Sequence, residues 1–156
     1  MILAVLSDTH GSLIRMKQWM EQLGPVDGII HLGDHWNDLD KLNADLPCPL
    51  YTVKGNCDYG DGDTENILSF MGHRIFITHG HTYRAKMGTA LIAERARELG
   101  AEAALYGHTH QRDIHYESGV LMMNPGSLGR SLDHPSYGIL VVNKEGIVPK
   151  LQLLNG

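Results

Sequence analysis

The sequence predicts an α/β fold in which a mixed sheet, or two sheets packed together, lies between helices. The first part of the chain alternates continuous apolar runs with a helical pattern, in the order βαβ(α)β. The later part changes to hairpins, one further helix and more strands. No internal repeat, low-complexity segment or linker interrupts the pattern, so we expect residues 1–156 to form a single domain of ordinary size.

The N-terminal elements follow from continuous and periodic apolar runs. Ile2–Leu6 is uniformly apolar, which is typical of a central buried strand. Leu13–Leu23 carries apolar residues at a 3.6 period, with Ser12 as the predicted N-cap and Gly24 as part of the stop. The next elements expected are strands at Gly28–Leu32 and Leu50–Val53, with a short helix near Asn37–Asn43 between them.

The rest of the chain is predicted to be mostly β-structure. A hairpin turning at Gly72 is expected, with strands at Ile67–Met71 and Arg74–Thr78. Thr89–Leu99 is a second helical pattern that ends at a glycine, and a strand follows at Ala103–Tyr106. Three or four more strand-like runs fill residues 114–154.

Composition narrows the class of protein. A formal net charge of −5 argues against a basic face for nucleic acid. The two cysteines, Cys48 and Cys57, form no disulfide framework, which favours a reducing compartment. The N-terminal apolar run stops after Leu6, too soon for a signal peptide or a membrane span. We therefore expect a cytoplasmic protein with no membrane partner.

Polar residues gather where the predicted strands end. In "GHTH", His108 and His110 lie two residues apart, so on an extended stretch they share a face. Similar switches from apolar to polar residues follow four other strands, and in open α/β sheets such strand ends meet at the ligand-binding edge. The residues gathered in this way are Asp8, His10, Asp34, Asn56, His79, His108 and His110.

The chemistry of this set indicates divalent metal ions. Carboxylate and amide oxygens mixed with imidazoles suit Mn, Fe, Zn, Ni or Co better than Mg or Ca alone. Seven ligands are too many for one tetrahedral ion and fit two ions about 3.5–4 Å apart. Asp34, which has two oxygens and lies in the middle of the set, is the natural bridge. Gly33, Gly55, Gly80 and Gly107 flank proposed ligands and allow tight turns there.

The ordered motifs "DTH", "GD", "GNCD", "THGH" and "GHTH" resemble those of the calcineurin-like metallophosphoesterases, and "NPGS" at 124–127 does too. More narrowly, they resemble the small bacterial and archaeal phosphodiesterases that carry GNCD. The resemblance implies a four-layer αββα sandwich of two mixed sheets flanked by helices, with a dinuclear site. By position, it implies Asp34 as the bridge, Asp8, His10 and His110 on the first metal, and Asn56, His79 and His108 on the second.

One position departs from the wider family. Many members have a histidine after "GN" that is thought to protonate the leaving group, whereas this chain has Cys57, as the small subgroup does. Activity on phosphomonoesters is therefore disfavoured. Cys57 is either an inert thiol or a site residue, and His81 is the nearest alternative proton donor by sequence. Asn56 and His81 are the residues expected to contact substrate.

The expected function is phosphodiester hydrolysis by a hydroxide that bridges two divalent metal ions. Manganese is the expected metal, and nickel, iron, zinc, cobalt and magnesium are the alternatives. A non-catalytic scaffold is a second hypothesis, because a eukaryotic sorting-complex subunit is similar to this family. A nuclease or a nucleotide hydrolase is a third. All seven ligand positions hold competent residues, which favours an enzyme acting on a small diester, and the C-terminal strands could form the face of a homo-oligomer.

Other polar residues are expected to have simpler roles. His31 is predicted to be packed inside a strand rather than to bind metal. His35 and Asp38 are each expected, with equal weight, either to support the site or to lie in a plain loop. Trp36 and Tyr59 lie in loops next to the site and could contact a leaving group. Residues expected to face solvent are His73 in a hairpin turn, His115 on a strand, His134, and the acidic loop of Asp58, Asp61 and Asp63.

Overall fold

A computed structural model describes residues 1–41, 46, 48–130 and 134–155. In chain order, the strands found in this part of the protein are β1 (Ile2–Leu6), β2 (Gly28–His31), β3 (Leu50–Thr52), β4 (Glu65–Phe70), β5 (His73–Thr78), β6 (Ala103–Leu105), β7 (Asp113–Glu117), β8 (Val120–Asn124), β9 (Ser136–Asn143) and β10 (Gly146–Leu153). The helices are α1 (Leu13–Gln22), α2 (Asp38–Lys41) and α3 (Ala90–Glu98), with single 3-10 turns at His81–Tyr83 and Ala85–Met87.

The strands form two mixed sheets of five. The first has the order β10-β9-β1-β2-β3, and β1, β2 and β3 run parallel. The second has the order β4-β5-β6-β8-β7, and β5, β6 and β8 run parallel. β9 pairs antiparallel with β1, so the C-terminal hairpin completes the sheet that the N-terminal strand begins. Parallel strands at the centre of both sheets place their carboxyl-end loops on one side.

The two sheets pack face to face around a central apolar core. Leu3, Val5 and Ile30 of the first sheet pack in one buried cluster with Ile75 and Ile77 of the second. These strands read as continuous apolar runs because their other faces are also covered, by helices. Buried apolar surface on both faces of each sheet is what makes the arrangement a sandwich rather than a single open sheet.

The helices form the two outer layers. Met16 and Trp19 of α1 pack with Ala4, Leu6 and Ile29 on the outer face of the first sheet. On the second sheet, α3 contributes three buried residues that pack against Phe76, Ala104 and Met122; they are Ile92, Ala93 and Ala96. The predicted four-layer αββα architecture is therefore confirmed.

Details of α1 differ from the prediction. Ser12 makes no side-chain capping hydrogen bond; its backbone N–H donates to the Thr9 carbonyl instead (3.1 Å). Leu13, expected on the apolar face, is 40% exposed, and the fully buried Trp19 takes the central position of that face. Trp19 packs edge-on against Tyr137, with ring centroids 6.3 Å apart. The apolar face of α1 is therefore centred on Trp19 and leaves Leu13 partly outside it.

Other predicted bounds agree closely with the structure. The hairpin begins two residues earlier than expected, at Glu65, and four strands occupy the C-terminal third. The short helix expected near Asn37–Asn43 is α2, and residues 42 and 43 lie outside the described part of the chain. No helix among the described residues has the length and apolar character needed to cross a membrane.

Candidate metal centre

Loops from both sheets converge at the carboxyl ends of β1, β2, β5 and β6. The Asp8 N–H donates to the Gly33 carbonyl (2.9 Å), which joins the loops after β1 and β2. The Gly107 N–H donates to the carbonyl of His79 (3.0 Å), which joins the loops after β5 and β6. Side-chain atoms of four predicted ligands lie within 4.8 Å of one another: Asp8, His10, Asp34 and His110.

Asp8 uses its two carboxylate oxygens differently. Its Oδ2 accepts hydrogen bonds from the Ser7 hydroxyl (2.6 Å) and the His108 backbone N–H (3.1 Å), which orient the group. Its Oδ1 is buried and has no hydrogen-bond partner in the part of the chain that the structure describes, although His110 Nε2 lies 3.2 Å away. A buried carboxylate oxygen without a donor is rare in proteins and needs an explanation such as a bound cation. The Asp8 carboxylate therefore fits a metal ligand.

Asp34 faces two histidines with its two oxygens. Oδ2 lies 3.5 Å from His10 Nε2, and Oδ1 lies 3.5 Å from His79 Nε2. The Cys57 backbone N–H donates to Oδ1 (2.9 Å), which fixes the carboxylate between the two imidazoles. An acid held in this way suits a bridge between two cations.

The imidazoles are arranged in two facing pairs. The Nε2 atoms of His10 and His110 are 3.4 Å apart, and His79 Nε2 lies 3.2 Å from His108 Nδ1. His79 donates its Nδ1 hydrogen to the Leu32 carbonyl (2.8 Å), a contact that directs its Nε2 toward the cluster. Metal-binding histidines commonly have their second nitrogen oriented by such a contact. The four imidazoles therefore form two separate pairs, one of His10 with His110 and one of His79 with His108.

Burial and the neighbouring imidazoles shift the pKa values of the two carboxylates in opposite directions. Burial raises the pKa of Asp8, but the His10 and His110 imidazoles lower it by more, so the carboxylate stays ionised. Burial also raises the pKa of Asp34, but the His79 imidazole lowers it by more. The pKa of His108 is lowered to about 4, by burial and then by the neighbouring His79 charge. Two buried carboxylates and a neutral imidazole are the protonation states that metal binding requires.

The backbone at the centre is in an unusual conformation. Among the described residues, nine other than glycine have positive φ, and six of them lie in the ligand loops: Asp8, His10, Asp34, His35, His108 and His110. This left-handed region is sparsely populated by L-residues, and clusters of such residues mark functional sites. The packing of the two sheets below these loops keeps their backbone in the strained conformation.

Two of the predicted glycines are required by close approach. A Cβ on Gly55 would lie 2.3 Å from Asp34 Oδ1, and one on Gly107 would lie 2.1 Å from the Ser7 hydroxyl and 2.8 Å from Asp8 Oδ2. No side chain fits at these distances. The glycines therefore let neighbouring loops contact the two carboxylates directly.

Two buried acids support the site, and only Asp38 was a candidate for this role from the sequence. Asp58, expected to face solvent, is buried; it accepts hydrogen bonds from the backbone N–H groups of Asp34 (2.9 Å), Gly55 (2.8 Å) and Trp36 (3.1 Å). Asp38 is fully buried and accepts from the Gly11 N–H (2.8 Å). Two of the three partners of Asp58 lie in the loop after β2, so its local sequence does not reveal this role. Asp61 and Asp63 are exposed, as expected.

The "NPGS" segment holds two ligand loops from below. The Ser127 hydroxyl donates to the Asp8 carbonyl (2.8 Å). The Asn124 amide donates to the Gly107 carbonyl (3.2 Å) and to the Thr109 hydroxyl (2.9 Å). Ser127 and Asn124 are fully buried, so these bonds fix the backbone on which Asp8 and the "GHTH" histidines stand.

His31 is packed beneath the centre, in agreement with the sequence. Its Nε2 lies 3.0 Å from the Thr9 hydroxyl, and its Nδ1 accepts the Gly33 N–H (3.1 Å). Burial lowers the pKa of His31 to about 4, so the imidazole is neutral. His35 was expected either to support the site or to lie in a plain loop. Its ring centre lies 5.3 Å from that of His10, with the rings tilted at 56°, and its Nδ1 lies 3.7 Å from Asp38 Oδ1.

Two histidines predicted to be simple surface residues have specific partners. His115 contacts Asp113, lies 3.2 Å from Glu117 and is only partly exposed, because the strand pattern places all three on one face of β7. His73 opens β5, and its ring lies 2.5 Å from Glu102 and 2.8 Å from the Asn143 carbonyl. His134 is exposed, as expected.

The predicted proton donors lie at the edge of the cluster. Asn56 and Cys57 are exposed, with the Asn56 amide 3.7 Å from Cys57 Sγ. Burial, and then the Asp34 charge, raise the pKa of Cys57, which keeps it a thiol. The His81 ring centre is 5.4 Å from that of His79, and its buried Nδ1 has no hydrogen-bond partner. Burial lowers the pKa of His81.

A four-layer sandwich with carboxylates and imidazoles gathered at its joined strand ends defines a metallohydrolase. The profile of the calcineurin-like phosphoesterase superfamily domain matches residues 1–145, and the chain therefore belongs to this superfamily, as its motifs predicted. Membership implies divalent metal ions, for which the Asp8, His10, Asp34 and His110 cluster is suited.

Individual relatives agree with this assignment. A probable metallophosphoesterase of Bacillus subtilis, YsnB, is 35% identical over 145 residues, 90% of this chain and 84% of the relative. A phosphodiesterase of Methanocaldococcus jannaschii is 30% identical, covering 93% of this chain and 95% of the relative. The crystal structure of a predicted phosphoesterase from Streptococcus pneumoniae superimposes with a TM-score of 0.78 at 26% identity, over 97% of this chain and 88% of the other.

Proposed function

We propose that this protein hydrolyses small phosphodiesters with the aid of two divalent metal ions. The observation that carries the proposal is the buried Oδ1 of Asp8, which has no donor and faces the imidazoles of His10 and His110. A cation at this point would satisfy the carboxylate oxygen and both ring nitrogens at once. The relative from Methanocaldococcus jannaschii, named a phosphodiesterase, supports the choice of reaction.

The proposed division of ligands follows the two facing imidazole pairs. Asp8, His10 and His110 would hold one metal ion, and Asn56, His79 and His108 would hold the other. Asp34 would bridge them, which is supported by its oxygens lying 3.5 Å from His10 on one side and 3.5 Å from His79 on the other. Mixed oxygen and imidazole ligands favour Mn²⁺, with Ni²⁺, Fe²⁺, Zn²⁺, Co²⁺ and Mg²⁺ as alternatives.

The chain's own residues would then position substrate and supply a proton. Bound divalent ions supply the positive charge that activates water and stabilises the phosphoryl group. Asn56 and His81 lie beside the cluster and would hydrogen-bond the phosphate. His81 or the Cys57 thiol would donate the proton to the leaving oxygen. Because its pKa is raised, Cys57 suits a donor better than a nucleophile.

Diesters are favoured over monoesters and over nucleic acid. Cys57 stands where many family members have histidine, so the chain lacks the proton donor associated with monoester cleavage at that position. The net charge of −5 and the scatter of the thirteen Lys and Arg residues along the sequence disfavour a polynucleotide strand as substrate. We therefore propose a small diester as substrate.

We further propose that residues 1–156 act as one domain in the cytoplasm. The pairing of β9 with β1 supports a single unit, because the C-terminal strands complete the first sheet. Cys48 and Cys57 are both free thiols, which suits a reducing compartment. The exposed Val148 on the edge strand β10 is an apolar residue that we propose as part of a homo-oligomer face.

Hydrolysis of a chromogenic phosphodiester and the corresponding monoester by chelator-stripped protein tests the function. We expect Mn²⁺ or Ni²⁺ to restore cleavage of the diester with little cleavage of the monoester. Stoichiometric metal binding without turnover of any diester would instead favour the scaffold hypothesis. Faster cleavage of the monoester would contradict the argument from Cys57.

A further inference from the structure

A cavity of about 530 Å³ opens beside the metal centre, between the loops that follow β2 and β3. Trp36, Asn37, Cys57 and Tyr59 are among its walls. The same two loops carry the proposed ligands Asp34 and Asn56, so a substituent on a phosphate at the centre has this cavity as its neighbour. Its volume lies in the range of small-molecule sites.

The floor of the cavity is rigid. The Asp58 carboxylate accepts backbone N–H groups from both loops, including those of Trp36 (3.1 Å) and Gly55 (2.8 Å). Each bond to a charged acceptor is worth about 1.5–3 kcal/mol. The position of Trp36 relative to the metal ligands is therefore set by the fold rather than by substrate.

The indole ring of Trp36 is held from one side by a glycine. A Cβ on Gly62 would lie 2.1 Å from Cη2 and 2.3 Å from Cζ3 of the ring, so the ring edge rests directly on the Gly62 backbone. Trp36 itself is half-buried, and Tyr59 on the same cavity is 91% exposed. The cavity therefore has an aromatic wall and an exposed aromatic rim, and aromatic faces pack favourably against flat apolar groups.

We infer that this cavity binds the base of a nucleoside phosphodiester, stacked on Trp36. Stacking of a base on an aromatic side chain contributes about 1–3 kcal/mol and tolerates different bases. The exposed amide of Asn37 provides both a donor and an acceptor for a base edge. The inference rests on the proposed function, whose site it extends, and it predicts a preference for nucleoside diesters over aliphatic ones.

Tryptophan fluorescence tests the cavity independently of turnover. The chain has two tryptophans, and the other, Trp19, is fully buried under α1. We expect adenosine monophosphate to quench the fluorescence of Mn²⁺-loaded protein in a saturable way, and ribose 5-phosphate to quench it far less. Trp36→Leu should abolish the response. Equal quenching by both ligands, or a persistent response in Trp36→Leu, would overturn the inference.

Kinetics test its consequence for substrate choice. We expect Trp36→Leu to lower kcat/KM for the methyl diester of thymidine 5′-phosphate by roughly 10- to 100-fold, the range that base stacking supports. The methyl diester of glycerol phosphate should be affected less than 2-fold. Trp36→Phe should retain most of the preference. An equal loss on both diesters would show that Trp36 only supports the loop and would overturn the inference.

Two further variants sharpen the result. Gly62→Ala displaces the indole without touching the metal ligands, so it should reproduce the selective loss, whereas Tyr116→Leu removes an aromatic residue that is 72% exposed on β7 and should change neither rate. A ten-nucleotide single strand cleaved with a higher kcat/KM than the thymidine diester would overturn the small-molecule assignment. If wild-type protein cleaves no diester, the proposed function fails and the fluorescence titration alone decides on the cavity.

Discussion

The metal centre and the Asp113, His115 and Glu117 cluster on β7 are built from the same residue types. In both, imidazole nitrogens lie within about 4 Å of carboxylate oxygens. In the β7 cluster each acid has a partner: Asp113 contacts His115, and Glu117 lies 3.2 Å from His115 and accepts a hydrogen bond from the Thr89 hydroxyl. At the metal centre, the buried Asp8 Oδ1 lies 3.2 Å from His110 Nε2 but has no hydrogen-bond partner among the described residues.

The difference teaches that composition alone does not make a metal site. The β7 cluster stands on a regular strand at i, i+2 and i+4, where the side chains meet without any backbone strain. The metal centre uses loops from two sheets and left-handed residues to direct its oxygens and nitrogens at a common point. The unsatisfied buried oxygen, rather than the number of histidines, separates the two clusters.

The largest effect is expected from removing the bridging charge. Asp34→Asn should lower metal-dependent diesterase activity by at least about 10³-fold, about 4 kcal/mol in transition-state stabilisation. The matched change at the other cluster, Asp113→Asn, should leave the rate within 2-fold. Steady-state rates at saturating Mn²⁺ check this. Activity in Asp34→Asn close to that of the wild type would refute the assignment of the bridge.

Metal binding should stabilise the fold only through the metal centre and not through the β7 cluster. At a free Mn²⁺ concentration 100 times the dissociation constant, the free energy of unfolding should rise by about 2.7 kcal/mol. Asp8→Asn should remove this gain because it weakens the ligand, whereas His115→Gln should retain it. Urea unfolding with and without Mn²⁺ measures the difference. If Mn²⁺ still raised the free energy of unfolding of Asp8→Asn, the ion would bind at a site that does not include Asp8.

His31 and His115 should respond to pH in opposite directions. The pKa of His31 is about 4 in the folded protein and ordinarily 6.5, so the unfolded state takes up the proton first and stability falls as pH drops below 6.5. The loss should reach about 2 kcal/mol by pH 5. Although burial lowers the pKa of His115, Glu117 and Asp113 raise it by more, so its smaller contribution is present at low pH and lost as pH rises.

Paired variants isolate these contributions. Without metal, His31→Gln should lose less stability than the wild type between pH 7.5 and pH 5, and His115→Gln should lose more. Urea unfolding at the two pH values gives both differences. Parallel pH profiles for wild type and His31→Gln would contradict the neutral state of His31.

The smallest effects come from single glycines. Gly107→Ala would place a Cβ against the Ser7 hydroxyl and Asp8 Oδ2, and we expect it to weaken Mn²⁺ binding by about 10-fold, as changes to groups that orient metal ligands do. Gly119→Ala, in the turn after β7, meets open space at a φ of +79°, so it should cost only about 1 kcal/mol of stability. Isothermal titration and urea unfolding separate the two. Unchanged Mn²⁺ affinity in Gly107→Ala would contradict the close approach.

The sequence predicted an α/β fold from its apolar runs, and the family resemblance of its motifs added the four layers. Strands such as Ile2–Leu6 are buried on both faces, and their polar ends mark where the loops meet. Asp8, His10, Asp34 and His110 were all identified as ligand candidates and are brought together, since parallel strands share a carboxyl edge.

What the sequence could not predict depends on contacts between distant loops. Asp58 looked like one member of a solvated acidic loop, yet its carboxylate binds backbone N–H groups 22 and 24 residues earlier in the chain. Ser12 looked like a helix cap, but the preceding loop already bonds its backbone to Thr9. The contact of His115 with Thr89 also joins residues that are 26 positions apart, whereas its contacts with Asp113 and Glu117 are local to β7.

The left-handed backbone at Asp8 and Asp34 also bears on how such a protein changes over generations. Asparagine tolerates this conformation at least as readily as aspartate, and a single nucleotide change converts one codon into the other. The replacement that the main chain accepts most easily is therefore the one that removes the charge. Descendants of this chain can therefore lose the carboxylate charge while they keep the sandwich intact. Selection for the fold acts on the backbone conformation of these loops, and selection for chemistry acts on their side chains.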